Sequence, residues 1–92
     1  MRTIYKYKIE IQDRQIIEMP FHSQILHLEV VDGDVFLWAM VETDNHMVNV
    51  EFVTFATGQE IPNYALIKVK YVGTYVTHAK LDLFFVGHLF RF

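Results

Sequence analysis

Apolar and polar residues alternate along most of this chain, and the alternation predicts strands. From Thr3 to Ile11, Tyr5, Tyr7, Ile9 and Ile11 fall on one side and Ile4, Lys6, Lys8 and Glu10 on the other, the pattern of a half-buried strand. Gln12-Asp13-Arg14 predicts a turn. Gln15 to Met19 follows as a short strand, stopped by Pro20, which has no N–H to give to a ladder. The next signal is the strongest in the chain. Asp32-Gly33 lies between two apolar runs, and both central residues of a type I′ hairpin turn need positive φ. That turn sets a register: Val30 faces Val35, Leu28 faces Leu37 and Leu26 faces Ala39 on one side. Glu29 faces Phe36, His27 faces Trp38 and Ile25 faces Met40 on the other.

Glu42-Thr43-Asp44-Asn45 reads as a four-residue loop into a third strand. Pairing Val41 with His46 across it sets Ala39 beside Val48, Leu37 beside Val50 and Val35 beside Phe52. The aliphatic face then continues into that strand, with Asn49 beside Trp38 and Glu51 beside Phe36. Gly58-Gln59-Glu60 ends the third strand, and Asn63-Tyr64-Ala65 has room for a single helical turn. Leu66 to Val76 predicts another strand, interrupted at Gly73 by a bulge or a close backbone approach. A turn at Thr77-His78-Ala79-Lys80 leads to a last strand, Leu81 to Phe92, apolar on both faces. Such a strand belongs at the centre of a sandwich or under a partner subunit. The expected fold is all-β, a compact antiparallel sandwich or partly open barrel of about seven short strands, forming a single domain over residues 1–92.

Composition adds a need for partners. The 92 residues are 52% hydrophobic and 15% aromatic but only 21% charged, so a domain this small has more apolar surface than it can bury alone. Homo-oligomerisation is the expectation. A net charge of −3 argues against a basic nucleic-acid footprint, and no DNA partner is expected. The longest apolar stretch, Leu83 to Phe90, is broken by Gly87 and His88, and the first residues hold no long apolar run; neither a membrane span nor a signal peptide is expected. A soluble intracellular protein follows as the default.

The residues that carry chemistry are few. Ser23 is the only serine and has no elbow motif around it, and the four glycines are isolated, so no phosphate-cradling loop exists. A non-enzyme with no catalytic residues and no cofactor is the reading. Five histidines and no cysteine show no metal-ligand spacing, so no metal site is expected. Trp38, Phe36 and Met40 on one strand face, with His27 and Glu29 beside them, form either a subunit interface or a stacking platform for a planar ligand. Lysines two apart, Lys6 and Lys8 or Lys68 and Lys70, usually protect a sheet edge, and a phosphate clamp is the lesser reading. Arg91, inside an aromatic-rich strand end, calls for a specific partner. His88 suits a hydrogen-bonded interface position or a ligand contact.

Thr3-Ile4-Tyr5-Lys6-Tyr7, Leu37-Trp38-Ala39, Phe55-Ala56-Thr57-Gly58-Gln59-Glu60-Ile61-Pro62, Tyr71-Val72-Gly73-Thr74-Tyr75 and Phe85-Val86-Gly87-His88-Leu89-Phe90, taken together, resemble a family of small phage and prophage proteins of unknown function. Proteins of this kind include oligomeric sponges that hold the cyclic nucleotide signals of bacterial defence without cutting them. The resemblance implies an anti-CBASS immune-evasion protein of the host cytoplasm that sequesters a cyclic dinucleotide. The expected ligand-binding residues are Trp38 and Tyr75 for stacking, Lys6 and Arg91 for phosphate, and His27 and His88 as polar contacts. The alternative is a phage structural or accessory protein, or a module that inhibits a host protein through an apolar sheet face.

Overall fold

The chain's best turn signal forms with the backbone it requires: φ is 51° at Asp32 and 83° at Gly33. The computed structural model describes residues 1–78 and 84–92. The elements are β1 (Arg2–Ile9), β2 (Arg14–Pro20), β3 (Gln24–Val31), β4 (Asp34–Glu42), β5 (Met47–Ala56), α1 (Asn63–Lys68), β6 (Lys70–His78) and β7 (Phe84–Arg91). They build two antiparallel sheets, of order β1-β4-β3 and β2-β5-β7-β6. The fold is therefore the expected all-β sandwich of seven strands. The expected turn at 77–80 and the start of the last strand at 81–83 fall wholly or partly outside the described residues.

The β3–β4 hairpin keeps the expected register from Val31 opposite Asp34 to His27 opposite Trp38. There a bulge intervenes. Ile25, not Leu26, sits opposite Ala39, and Gln24, not Ile25, sits opposite Met40. The extra residue, Leu26, is left exposed, while Ile25 turns inward onto the core. A bulge reverses the side-chain alternation, and here the shift lets an isoleucine stay buried.

The larger correction concerns β5. It does not pair with β4, whose second neighbour is β1: Tyr5 lies opposite Ala39, Lys6 opposite Trp38, Tyr7 opposite Leu37 and Lys8 opposite Phe36. The loop after β4 crosses to the other sheet, held by Thr43 N–H donating to Met1 O at 2.9 Å and Phe21 N–H donating to His46 O at 2.8 Å. Strand β5 then pairs with β2, Ile17 opposite Val50 and Met19 opposite Val48. For β5 the inward set Val48, Val50 and Phe52 follows the expectation, because alternation reports the buried face and not the neighbouring strand, whereas Tyr5, Ile11 and Leu26, also placed on the inner side, are exposed. Leu37, Val35, Val50 and Phe52 do share a core, but from facing sheets.

The segment expected to be one strand from Leu66 divides in two. Residues Asn63–Lys68 form α1, and the strand begins only at Lys70. Pro62, at φ −60°, precedes the helix, and Ala65 packs into a second small cluster with Val53 and Phe55 on the outer side of the four-stranded sheet. A short apolar run suits a helix or a strand equally by periodicity, and packing decides. Gly73 does mark a close approach: a Cβ there would lie 2.9 Å from Leu28 Cδ2, where β6 passes β3, and the β6–β7 register shifts just before it.

One group in this core lacks a partner. Tyr7 Oη is buried without a hydrogen bond among the described residues, and burial pushes the Tyr7 hydroxyl pKa up, with the Tyr5 charge adding to it. Tyr7→Phe is expected to raise stability by about 1 kcal/mol, since it removes a desolvated hydroxyl without opening a cavity. A raised folded-state pKa means that the wild type loses stability as pH climbs past the ordinary tyrosine value near 10, because only the unfolded chain then ionises freely. Thermal melts of both proteins from pH 7 to 11 check both points: the variant should melt higher at pH 7 and fall less steeply above pH 10.

Candidate functional site

The expected site residues are divided among three separate surfaces and, for Tyr75, the core. The outer face of the three-stranded sheet carries the aromatic stripe Phe36, Trp38 and Met40 along β4, each half-buried. Its neighbours differ from expectation. Asn49 and Glu51 lie on the other sheet, where Arg14 Nε donates to Glu51 Oε1 at 2.6 Å. The flank on one side is instead β1, with Lys6 in the Trp38 row and Lys8 in the Phe36 row. Lys6 Nζ lies 4.6 Å from the centre of the Phe36 ring, a cation–π contact. The other flank is β3, with the His27 ring 6.0 Å from Trp38 and His27 Nε2 3.4 Å from Glu29 Oε2. Trp38, His27 and Lys6 thus share one surface.

Tyr75 belongs to the core. It is 2% exposed, its hydroxyl lies 3.3 Å from Thr54 Oγ1, and its ring occupies the space over Gly87. Burial pushes its pKa up, against the lowering effect of the Thr54 hydrogen bond. It offers no face for a ligand to stack on, because from β6 its side chain points inward and lies across Gly87 of β7 toward Thr54 of β5.

His88 lies on the outer side of the four-stranded sheet, on the face opposite Arg91, since alternate residues of β7 point to opposite sides. Its ring is held at both nitrogens: Thr57 Oγ1 is 2.8 Å from Nε2, and Thr74 Oγ1 is 2.9 Å from Nδ1. Tyr71 Oη continues the chain at 2.6 Å from Thr74 Oγ1. This is a hydrogen-bonded structural position rather than a partner of Arg91.

Arg91 lines the third surface, an open cleft of about 940 Å³ at one end of the sandwich, within the range of small-molecule sites. Val48 and Val50 of β5 lie in it, with the turn after β2 and the first residues of β3 and β6 along its sides. Lys70 is the direct cross-strand partner of Arg91, so the two cations share a face, and Lys68 lies on the same cleft. Among the described residues neither Lys70 nor Arg91 has a carboxylate within 4.0 Å; Arg91 Nε donates only to Phe92 O, at 3.4 Å. Like charges directly opposite one another weaken a ladder unless something anionic lies between them. At the cleft mouth, Phe21 and His22 stack with centroids 3.9 Å apart and planes 23° apart. His22 adopts φ 63°, a left-handed backbone that costs a non-glycine residue energy and recurs at functional sites.

Phe21 and His22 were not expected as ligand contacts from the sequence, and Lys70 entered only with Lys68, as an edge lysine with a phosphate clamp as the lesser reading. Gly73 signals the irregularity, but that the shift between Tyr71 and Gly73 sets Lys70 opposite Arg91 depends on the pairing of β6 with β7, which local pattern does not carry. Among the described residues no three of His, Asp and Glu converge as metal ligands, and no helix is long and apolar enough to cross a membrane.

The chain belongs to the family described as domain of unknown function (DUF7352), whose model matches residues 1–92. No curated protein and no solved structure matches it.

Proposed function

We propose, for this member of a family whose description assigns no activity, that the protein is a non-enzymatic, homo-oligomeric binding protein that sequesters a cyclic dinucleotide. The observation that carries this reading is the Arg91–Lys70 pair: two cross-strand cations facing a cleft, with no carboxylate within 4.0 Å of either among the described residues, in a chain of net charge −3. In an acidic protein such a pair is a local basin for an anion, and the phosphates of a cyclic dinucleotide are anions at fixed spacing. Phe21 and His22 at the mouth supply planar groups for a base. Relative to the sequence expectation, Arg91 keeps its phosphate role, and the stacking role moves from Trp38 and Tyr75 to the cleft mouth. The resemblance to small phage proteins supports the biological setting, a phage-encoded anti-CBASS sponge acting in the host cytoplasm.

Titration calorimetry with a panel of cyclic di- and trinucleotides tests the reading. The wild type is expected to bind at least one member at micromolar affinity or better. Arg91→Ala and Lys70→Ala are each expected to weaken that binding about tenfold or more, as the loss of a charge-assisted hydrogen bond does. Mass spectrometry should recover the ligand intact. If the wild type binds none of them, the reading fails, and the rival, a module that inhibits a host protein through the apolar face around Trp38, takes its place.

A further inference from the structure

The outer face of the three-stranded sheet is patterned to meet itself. Its side chains lie in rows across β1, β4 and β3: Lys6, Trp38 and His27 in one row, Lys8, Phe36 and Glu29 in the next. Each row has a cation on its β1 end, an aromatic ring at its centre, and His27 or Glu29 on its β3 end. A twofold axis running along β4, in the plane between two stacked copies, exchanges the β1 and β3 ends of every row. Lys8 of one copy, whose Nζ lies 3.7 Å from Asp34 Oδ1 of its own chain, then meets Glu29 of the other, Lys6 meets the His27–Glu29 pair, and Phe36, Trp38 and Met40 stack on their own counterparts. The other in-plane twofold, across the strands, sets β1 on β1 and brings Lys6 and Lys8 against like charge. Charge selects the first arrangement.

Area points the same way. The chain exposes 6347 Å², whereas a self-sufficient monomer of its mass exposes roughly 5,600 Å². The excess is close to the ~800 Å² that each partner contributes to a standard interface. The molecule is also flat, 43 × 34 × 16 Å along its principal axes, and so has broad faces to cover. Ile4 adds a further exposed apolar group to this one, beside Met40.

We infer that this face is the contact of an isologous homodimer, with a second copy of this chain as its occupant, the β4 strands running in the same direction, and reciprocal Lys8–Glu29 pairs at the rim. The inference rests on the self-association of the proposed function but not on its ligand, and its test contains no nucleotide, so the ligand reading and this contact can fail separately.

The test is sedimentation equilibrium on the full chain across a concentration series, with the emission of Trp38, the only tryptophan, followed in parallel. The wild type should show the mass of two chains at micromolar concentration, with Trp38 emission shifting to the blue as the dimer forms. Lys8→Glu and Glu29→Lys each oppose like charges twice across the axis, and each is expected to raise the dimer dissociation constant about tenfold or more. The double swap K8E/E29K restores opposite charges and should return the constant to near the wild-type value. Circular dichroism confirms that each variant is folded. A single-chain mass at every concentration overturns the inference, as does a dimer that both single swaps leave intact, or a folded double swap that stays monomeric.

Discussion

Phe52→Ala is expected to destabilise the domain by about 3–5 kcal/mol, the range for removing a buried phenylalanine from a core that collapses only partly around the cavity. Phe52 is 0% exposed, sits on β5 in the four-stranded sheet, and packs in the same cluster as Leu37 and Val35 from the facing sheet. It joins the two layers, so its loss is felt by both. Small domains hold about 5–15 kcal/mol in total, so the variant keeps a small margin at best. Urea unfolding followed by circular dichroism measures it: the midpoint should fall sharply with an unchanged slope. A cost below about 1 kcal/mol would mean that Phe52 does not sit between the sheets.

Gly87→Ala is expected to be nearly as damaging, about 2–4 kcal/mol, by the opposite mechanism of overfilling. Gly87 lies on β7 directly between Ala56 of β5 and Tyr75 of β6. A Cβ there would run into the Tyr75 ring, 2.7 Å from its Oη and 2.8 Å from Cε2. The ring has nowhere to go, since Tyr75 is 2% exposed and its hydroxyl is placed against Thr54. The two sites are therefore coupled. Tyr75→Ala alone opens a cavity, and in that background Gly87→Ala should cost little, so the double variant should be no less stable than Tyr75→Ala. Additive losses in the four-member cycle would refute the contact.

Much of the fold was legible because strand alternation reports burial. The inward set, with Leu28, Leu37 and Val50 among it, and the positive φ at Asp32 and Gly33 both follow from local pattern. What local pattern does not carry is which strand lies beside which. Val48, Val50 and Phe52 suit a place beside β4 in the same sheet as well as a place facing it across the core, and only the crossing of the Glu42–Asn45 loop separates the two. That one ambiguity displaced Glu51 and Asn49 onto the Trp38 face and kept Lys6 and Lys8 off it. For the candidate site the same limit applied twice. Arg91 stood out because a lone guanidinium among aromatics needs a partner. Its pairing with Lys70 depends on how β6 lies against β7, and the aromatic character that suggested Tyr75 for stacking does not tell an exposed ring from a buried one.

The order of the strands bears on how the chain reaches its native state. Only β3–β4 and β6–β7 pair with an immediate neighbour in sequence; β1 must wait for β4, and β2 for β5. The β3–β4 hairpin closes a two-residue turn at small entropic cost, whereas the two N-terminal strands, first off the ribosome, have no ladder to join until the middle of the chain is made. Until β1 arrives, one edge of β4 stays open beside the Phe36–Trp38–Met40 ridge, which makes the nascent half-sandwich the stage most exposed to misassociation.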